Sequence, residues 1–288
     1  MHMMMKFQFE KTLRTWRDRL SCSNVDCRGS RRVWKRISGP TRSIDIHGAR
    51  YCFPDCFEGG LERLLQQFET MQFASAVPSH RIPLGLLMLS RGDLNNTQLL
   101  TALKAQRCNG SGRIGEWIEK LGFAGSQQIT AALAAQCSCP VLRQLPMRSP
   151  NCNLPLVLLR HFRMVPVSYV PSTRVMHMAF EGNVHYHALL AIEKVRKCKT
   201  LPCITTRSEL SALLSRFEEK AGRTDYSFEN RRTPAEMTRI ACSYAAKLGA
   251  EEVRAAVCGE YIWIQIEGIE SANLVFSPTT RGQSFSQE

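Results

Sequence analysis

Residues 83–106 (PLGLLMLSRGDLNNTQLLTALKAQ) and 113–136 (RIGEWIEKLGFAGSQQITAALAAQ) are two versions of one 24-residue pattern, offset by 30 positions. Leu84/Ile114, Gly85/Gly115, Met88/Ile118, Gly92/Gly122, Leu99/Ile129, Leu103/Leu133 and Gln106/Gln136 coincide. A repeat constrains the fold strongly, because both copies must form the same supersecondary unit and bury their apolar faces on one another. In each copy a short apolar stretch (84–89; 114–121) ends at a glycine, Gly92 or Gly122, which reads as a helix stop. A polar start follows, Asn95-Asn96-Thr97 or Gly125-Ser126, with Ser126 as the expected N-cap. A longer helix then carries apolar residues four apart, Leu99 and Leu103 or Ile129 and Leu133. The expectation is two stacked helical hairpins.

Beyond the repeat, 165–170 and 174–180 read as a strand hairpin around Pro171-Ser172-Thr173. A helix over 185–196, a strand over 201–205 and a helix over 208–219 capped by Ser208 complete a compact α/β segment. His185 and His187 are two apart on that first helix, so they point to different faces and read as non-catalytic. Residues 222–232 are polar and read as a linker. A helix opening at Thr233-Pro234 and three short strands (252–257, 261–267, 273–276) follow, and YIWIQIE alternates clearly. The expected class is α+β: a helical-hairpin repeat domain (78–145), then small α/β subdomains (150–220 and the helix-plus-meander of 231–280), preceded by a zinc-knuckle-like module (1–72).

That first module is named for its cysteines. The chain has twelve, and most, such as Cys242 and Cys258, sit in apolar patterns as small buried hydrophobes. Cys22-x4-Cys27 and Cys52-x3-Cys56 are different: two close pairs with a short spacer are the arithmetic of a four-thiolate zinc site. The second pair precedes an amphipathic run (Leu61, Leu64, Leu65, Phe68), which places Cys56 at a helix N-terminus, where the dipole favours a thiolate. His47 is a substitute ligand candidate. Such a Zn2+ would be structural, because four thiolates leave no open position, and metal could supply folding energy that a small core lacks. The alternative is four reduced thiols without metal.

The charge is uneven. Residues 1–50 hold 12 Lys/Arg against 4 Asp/Glu within a chain of net charge +13. A basic arm suits an anionic partner, nucleic acid among them, or it is simply a solvated surface. No apolar run reaches membrane-span length and the N-terminus lacks a signal-peptide core, so the expected location is cytoplasmic. No G-x-x-x-x-G-K-[ST] loop, G-x-S-x-G elbow or H-E-x-x-H pair occurs, and Cys137-Ser138-Cys139 lacks redox spacing, so no enzyme is expected.

The repeat resembles the paired 24-residue motifs in the N-terminal (MshE-type) domain of type IV pilus and type II secretion ATPases, general secretory pathway protein E included. The second copy matches that pattern at Arg113, Ile114, Gly115, Ile118, Gly122, Phe123, Ile129, Leu133 and Gln136 and departs at Glu119 and Ala124. The first matches at Leu84, Gly85, Met88, Leu89, Gly92, Leu94, Leu99, Leu103 and Gln106, with Pro83 in place of Arg and Asp93 in place of an aliphatic. Arg81 lies two residues upstream of Pro83. The resemblance implies a cyclic di-GMP site at Leu84, Gly85, Gly92, Gln106, Arg113, Ile114, Gly115, Gly122 and Gln136. It also implies a regulatory or adaptor role beside a secretion or pilus component, without the ATPase motor. An Arg can stack on guanine and pair with phosphate, and a helix-start Gly lets backbone amides approach a ligand. Read from the residues alone, the glycines serve turns, the aliphatics fill the core, and Arg113 and Gln136 are a surface Arg and a helix-end Gln. The competing function is a zinc-dependent nucleic-acid-binding regulator acting through residues 1–72.

Overall fold

The computed structural model describes residues 22–27, 42–70, 81–146, 150, 152–220, 225–229 and 233–278. Most of the basic arm (1–21 and 28–41) lies outside these residues. The chain begins with strands β1 (Ser43–Ile46) and β2 (Ala49–Cys52) and helix α1 (Asp55–Thr70). Four helices follow: α2 (Leu84–Ser90), α3 (Asn96–Asn109), α4 (Ile114–Lys120) and α5 (Ser126–Cys137). Next come α6 (Leu156–His161), β3 (Met164–Val170), β4 (Val175–Phe180), α7 (Tyr186–Arg196), β5 (Lys199–Ile204) and α8 (Arg207–Lys220). The last stretch is β6 (Asp225–Phe228), α9 (Pro234–Lys247), β7 (Glu252–Cys258), β8 (Tyr261–Glu267) and β9 (Ser271–Phe276).

These elements form two compact units, and the first is discontinuous: Met1–Gln72 with Thr224–Glu288. One six-stranded sheet, ordered β2-β1-β7-β8-β9-β6, joins its two pieces. The terminal segments, expected as separate modules, thus share a sheet. Asp45 pairs with Glu252 and Ile46 with Val253 in parallel register, a partnership that no local periodicity can announce. Asp225–Phe228, expected within a linker, pairs with β9 in parallel. Tyr226 and Phe228 supply the reason: they pack on the core, and Phe228 stacks on Phe276 at 4.8 Å. Burial of alternate residues outweighs the polar residues around them.

The core of this unit lies between the sheet and helices α1 and α9. Phe57, Leu61, Leu65 and Phe68 of α1 and Met237, Ala241 and Ala245 of α9 meet Ile262, Ile264, Ile266 and Leu274. Each large apolar side chain fully buried there contributes roughly 1.5–3 kcal/mol. The alternation of β8 sends Trp263 and Gln265 to the other face, where both are also buried. Trp263 Nε1 and Gln265 Nε2 donate to Asn273 Oδ1 at 3.0 and 3.1 Å, and Asn273 Nδ2 donates to Asp225 Oδ1 at 2.8 Å. The polar groups are therefore satisfied.

The second unit, Phe73–Arg223, holds the four helices α2–α5 and a three-stranded sheet, β3-β4-β5. Met88, Leu94 and Ala102 share a core with Ile118, Ala124, Ile129 and Ala132. Helix packing is crosswise, α2 against α5 and α3 against α4. Both short helices end alike. Gly92 (φ +75°) and Gly122 (φ +69°) take the left-handed conformation, and the next amide returns to the helix: Asp93 N to Met88 O (2.9 Å), Phe123 N to Ile118 O (3.0 Å). The long helices start differently from each other. Asn95 caps α3 in a reciprocal box with Gln98. Gly125, not Ser126, occupies the position before α5, where its N–H donates to Gln128 Oε1 at 2.9 Å.

The sheet continues from the helices without a domain break. Leu142 N donates to Ile204 O at 2.8 Å and Ile204 N to Pro140 O at 2.9 Å, so the segment after α5 runs beside β5. Strands β3 and β4 are antiparallel, and α7 provides the crossover to parallel β5. The cap of α8 is Thr206 rather than Ser208: Glu209 N donates to Thr206 Oγ1 (3.3 Å) and Thr206 N to Glu209 Oε2 (3.1 Å).

Candidate functional site

A cavity of about 540 Å³ opens inside the second unit, within the size range of small-molecule sites. Arg113, Ile114, Gly115 and Glu116 at the start of α4, with Glu119 near its end, form one wall, and Ser126, Ile129, Thr130 and Leu133 of α5 form another. Leu84 reaches in from α2. The remaining wall comes from two turns at the ends of sheet strands, Glu181-Gly182-Asn183 after β4 and Thr205 to Ser208 after β5.

Small residues let these walls approach. A Cβ on Gly115 would lie 3.2 Å from Ile129 Cγ2 and 3.4 Å from Leu84 Cδ2. Gly182 has φ +86°, and a Cβ there would lie 3.3 Å from Arg113 Nη1, so the exposed guanidinium lies across this bare turn. Arg207 is the second cation. Its Nε donates to Glu181 Oε1 at 2.7 Å and its Nη2 to Glu116 Oε1. Glu181 also accepts from Arg163, at Nε (2.9 Å) and Nη2. The Arg207 guanidinium holds the Glu116 carboxyl below the usual carboxylate range against the opposing effect of burial, with a lesser contribution from Arg113. His185 sits between Phe162 (5.3 Å) and Phe180 (6.5 Å). Burial chiefly, then the charges of His161, Arg113 and His187, lowers its basicity. It occupies the N-cap of α7 rather than the helix itself.

The sequence-derived ligand positions separate into two groups. Leu84, Arg113, Ile114 and Gly115 line the cavity. Gly85, Gly92, Gln106, Gly122 and Gln136 do not. Gly85 faces Leu99, whose Cδ1 would lie 2.5 Å from a Cβ. The two glutamines tie backbone: Gln106 Nε2 donates to Gly112 O (2.8 Å) and Gln136 Nε2 to Ile82 O (2.6 Å). Each copy thus fastens the residue just before the other copy's N-cap. Arg81 donates to Cys137 Sγ at 3.5 Å. Sequence reasoning missed Glu181, Thr206 and Arg207, because the turns carrying them show no motif. Glu116 was signalled only by standing inside one.

The cysteines of the first unit also converge. The Sγ atoms of Cys22, Cys27 and Cys56 lie within 4.8 Å of one another. Cys52 Sγ is 3.9 Å from Cys27 Sγ, and Cys52 N–H points at Cys22 Sγ at 3.4 Å. Tetrahedral zinc with Zn–S bonds of about 2.3 Å places sulfurs about 3.8 Å apart, which the three sulfurs of Cys22, Cys27 and Cys56 approach, while Cys52 adjoins them through Cys27. Cys56 is the second residue of α1. Burial, then the neighbouring thiols, pushes the Cys52 thiol up to about 12. Burial likewise raises Cys56 to about 11, against the hydrogen bond from Asn24. A metal held here would have to displace these thiol protons. His47 is not in the cluster: its Nε2 lies 2.9 Å from Ala255 N and 2.8 Å from Ala255 O, against β7.

No helix among the described residues is long and apolar enough to cross a membrane. No protein-family model and no curated protein matches the chain. Among solved structures it is similar to MshE with cdg, at 26% identity and a TM-score of 0.40 over 48% of this chain and 99% of that one. It is similar to the N-terminal domain of XpsE, at 21% identity and a TM-score of 0.37 over 46% and 92%. A second crystal form of that domain (I4122) gives 24% identity and a TM-score of 0.30 over 45% and 90%.

Proposed function

We propose that the chain is a non-enzymatic regulatory adaptor of a secretion or pilus machine, in which the cavity takes cyclic di-GMP and its occupancy controls docking to a machine component. The two 24-residue stretches are two copies of one helical hairpin in this reading. The observation that carries it is that Arg113, Ile114 and Gly115, consecutive ligand-reading positions of the resembled motif, line one cavity together with Leu84 of the other copy. The Arg113 guanidinium stacks on a guanine face or pairs with a phosphate. Leu84, Ile114, Ile129 and Leu133 supply apolar surface for a base, and the Ser126 and Thr130 hydroxyls offer directed hydrogen bonds. Calorimetric titration of cyclic di-GMP into the full chain tests this. Saturable binding with Kd of about 10 µM or tighter is expected, and no binding at high micromolar ligand rejects it.

The four cysteines belong to the same proposal as a structural zinc site at the edge of the six-stranded sheet. Cys22, Cys27, Cys52 and Cys56 would hold Zn2+ as thiolates and close its coordination, so the ion would stabilise the fold and offer substrate no position. Mass-spectrometric metal analysis of gently purified protein is expected to give about one zinc per chain. Zinc-free protein with an unchanged melting temperature removes the site.

A further inference from the structure

Arg207 reaches the cavity from a part of the chain outside the repeat, and it is already engaged there. Its guanidinium bridges Glu181 and Glu116. The two carboxylates are not equivalent. Glu181 keeps a second arginine, Arg163, on its Oε2, so it remains paired if Arg207 departs. Glu116 stands on α4 three residues after Arg113, and Arg207 is its bonded cation. The cavity wall carries more carboxylates (Glu116, Glu119, Glu181) than guanidinium groups (Arg113, Arg207). A ligand phosphate there competes with a carboxylate for a guanidinium that is already paired.

The geometry points to the Arg207–Glu116 pair as a clasp that a ligand phosphate opens. The phosphate takes the guanidinium edge now turned to Glu116, in the charge-assisted pairing that arginine forms with phosphate, while Glu181 keeps its bonds to Arg163. The clasp ties α4 of the helical layer to α8 beside the sheet, so opening it releases one tie between them, while the backbone pairing of the segment after α5 with β5 stays in place. Arg207 is then a specificity-determining residue, and Glu116 is a built-in competitor that sets the ligand concentration at which the switch turns. The inference rests on the cyclic di-GMP reading of the cavity.

The test is calorimetric titration of cyclic di-GMP into the full chain and into Glu116→Gln, Glu119→Gln and Arg207→Gln variants. Glu116→Gln is expected to bind about three- to tenfold tighter than the parent, and Arg207→Gln weaker by a similar factor, the scale of a partly exposed ion pair. Glu119→Gln removes the same charge from the same wall and is expected to change affinity less than Glu116→Gln. If the parent binds nucleotide and Glu116→Gln gains nothing, or gains no more than Glu119→Gln, the clasp is overturned and the cavity reading stands. If neither the parent nor Glu116→Gln binds, both fall together.

Discussion

The two copies of the 24-residue pattern share a scaffold, but the first contributes one helix-start residue to the cavity, Leu84, where the second contributes Arg113, Ile114 and Gly115. Both short helices end at a left-handed glycine, both set a bare glycine against the long helix, and both glutamines fasten the opposite copy. The difference lies in what stands before and around each short helix. Arg113 precedes α4 and Pro83 precedes α2, and the strand-end turns carrying Glu181 and Arg207 close over α4. A repeat fixes a framework twice, whereas a binding site also needs walls from outside the repeat.

The largest effect expected comes from the shared framework. A side chain at Gly85 starts 2.5 Å from the Cδ1 of Leu99, which is 6% exposed, so the buried leucine must shift to admit it. At Gly115 the contact with Ile129 starts at 3.2 Å. Gly85→Val is therefore expected to cost about 2–3 kcal/mol and Gly115→Val about 1–2 kcal/mol, the range of overpacked cores, measured by urea unfolding. Equal costs would mean that the two halves pack more alike than these contacts indicate.

The next effect separates the copies by ligand. Arg113→Ala is expected to weaken cyclic di-GMP binding by about tenfold or more, because a charge-assisted contact is lost. The reciprocal change, Pro83→Arg, supplies the missing guanidinium to the first copy. Pro83 sits in extended backbone (φ −54°, ψ 139°), which an arginine adopts freely. Its affinity is nevertheless expected to stay within about twofold of the parent, since Pro83 is not part of the cavity wall. A large gain in titration would locate the asymmetry in one side chain instead of in the walls.

The same contrast explains what could be read from the sequence. Helix positions, the stops at Gly92 and Gly122 and the apolar partners Met88/Ile118 follow from spacing, because those forces act within one or two turns. The convergence of Cys22, Cys27 and Cys56 was legible because close cysteine pairs have few other uses. Glu181 and Arg207 were not, since the sheet brings them to α4 from 65 and 91 residues further along the chain than Glu116. The pairing of β1 with β7 was hidden for the same reason, with an entire unit inserted between the strands. Gln136 stands at a position that recurs in both copies as an expected ligand position, and in this structure its side chain donates to the Ile82 carbonyl.

That reading of the glutamines predicts symmetry where Arg113 predicts asymmetry. Gln106→Ala and Gln136→Ala each remove one side-chain donor from a backbone carbonyl. Each is expected to lower unfolding free energy by about 0.5–1 kcal/mol, by similar amounts in the two copies, as followed by thermal melts. If Gln136→Ala instead spared stability and lost ligand affinity, its role would be that of a reader.

The smallest effect is a pH dependence confined to the second copy's surroundings. Burial, mainly, holds His185 below the ordinary imidazole value, with His161, Arg113 and His187 acting in the same direction. The folded state therefore binds fewer protons at this ring than the unfolded state does. Stability rises with pH wherever the unfolded chain holds more protons, so the contribution is complete above about pH 6.5 and is lost as pH falls through the lower folded value. The depressed Glu116 carboxyl works in a separate, more acidic window, keeping its contribution above about pH 4.5 and losing it below. Unfolding midpoints measured at pH 7 and pH 5 are expected to fall with acidification in the parent and to fall less in His185→Phe, whose ring fits between Phe162 and Phe180 without a charge to bury. An equal drop in both proteins would assign the titration to another histidine and leave the wall beside Arg113 insensitive to pH.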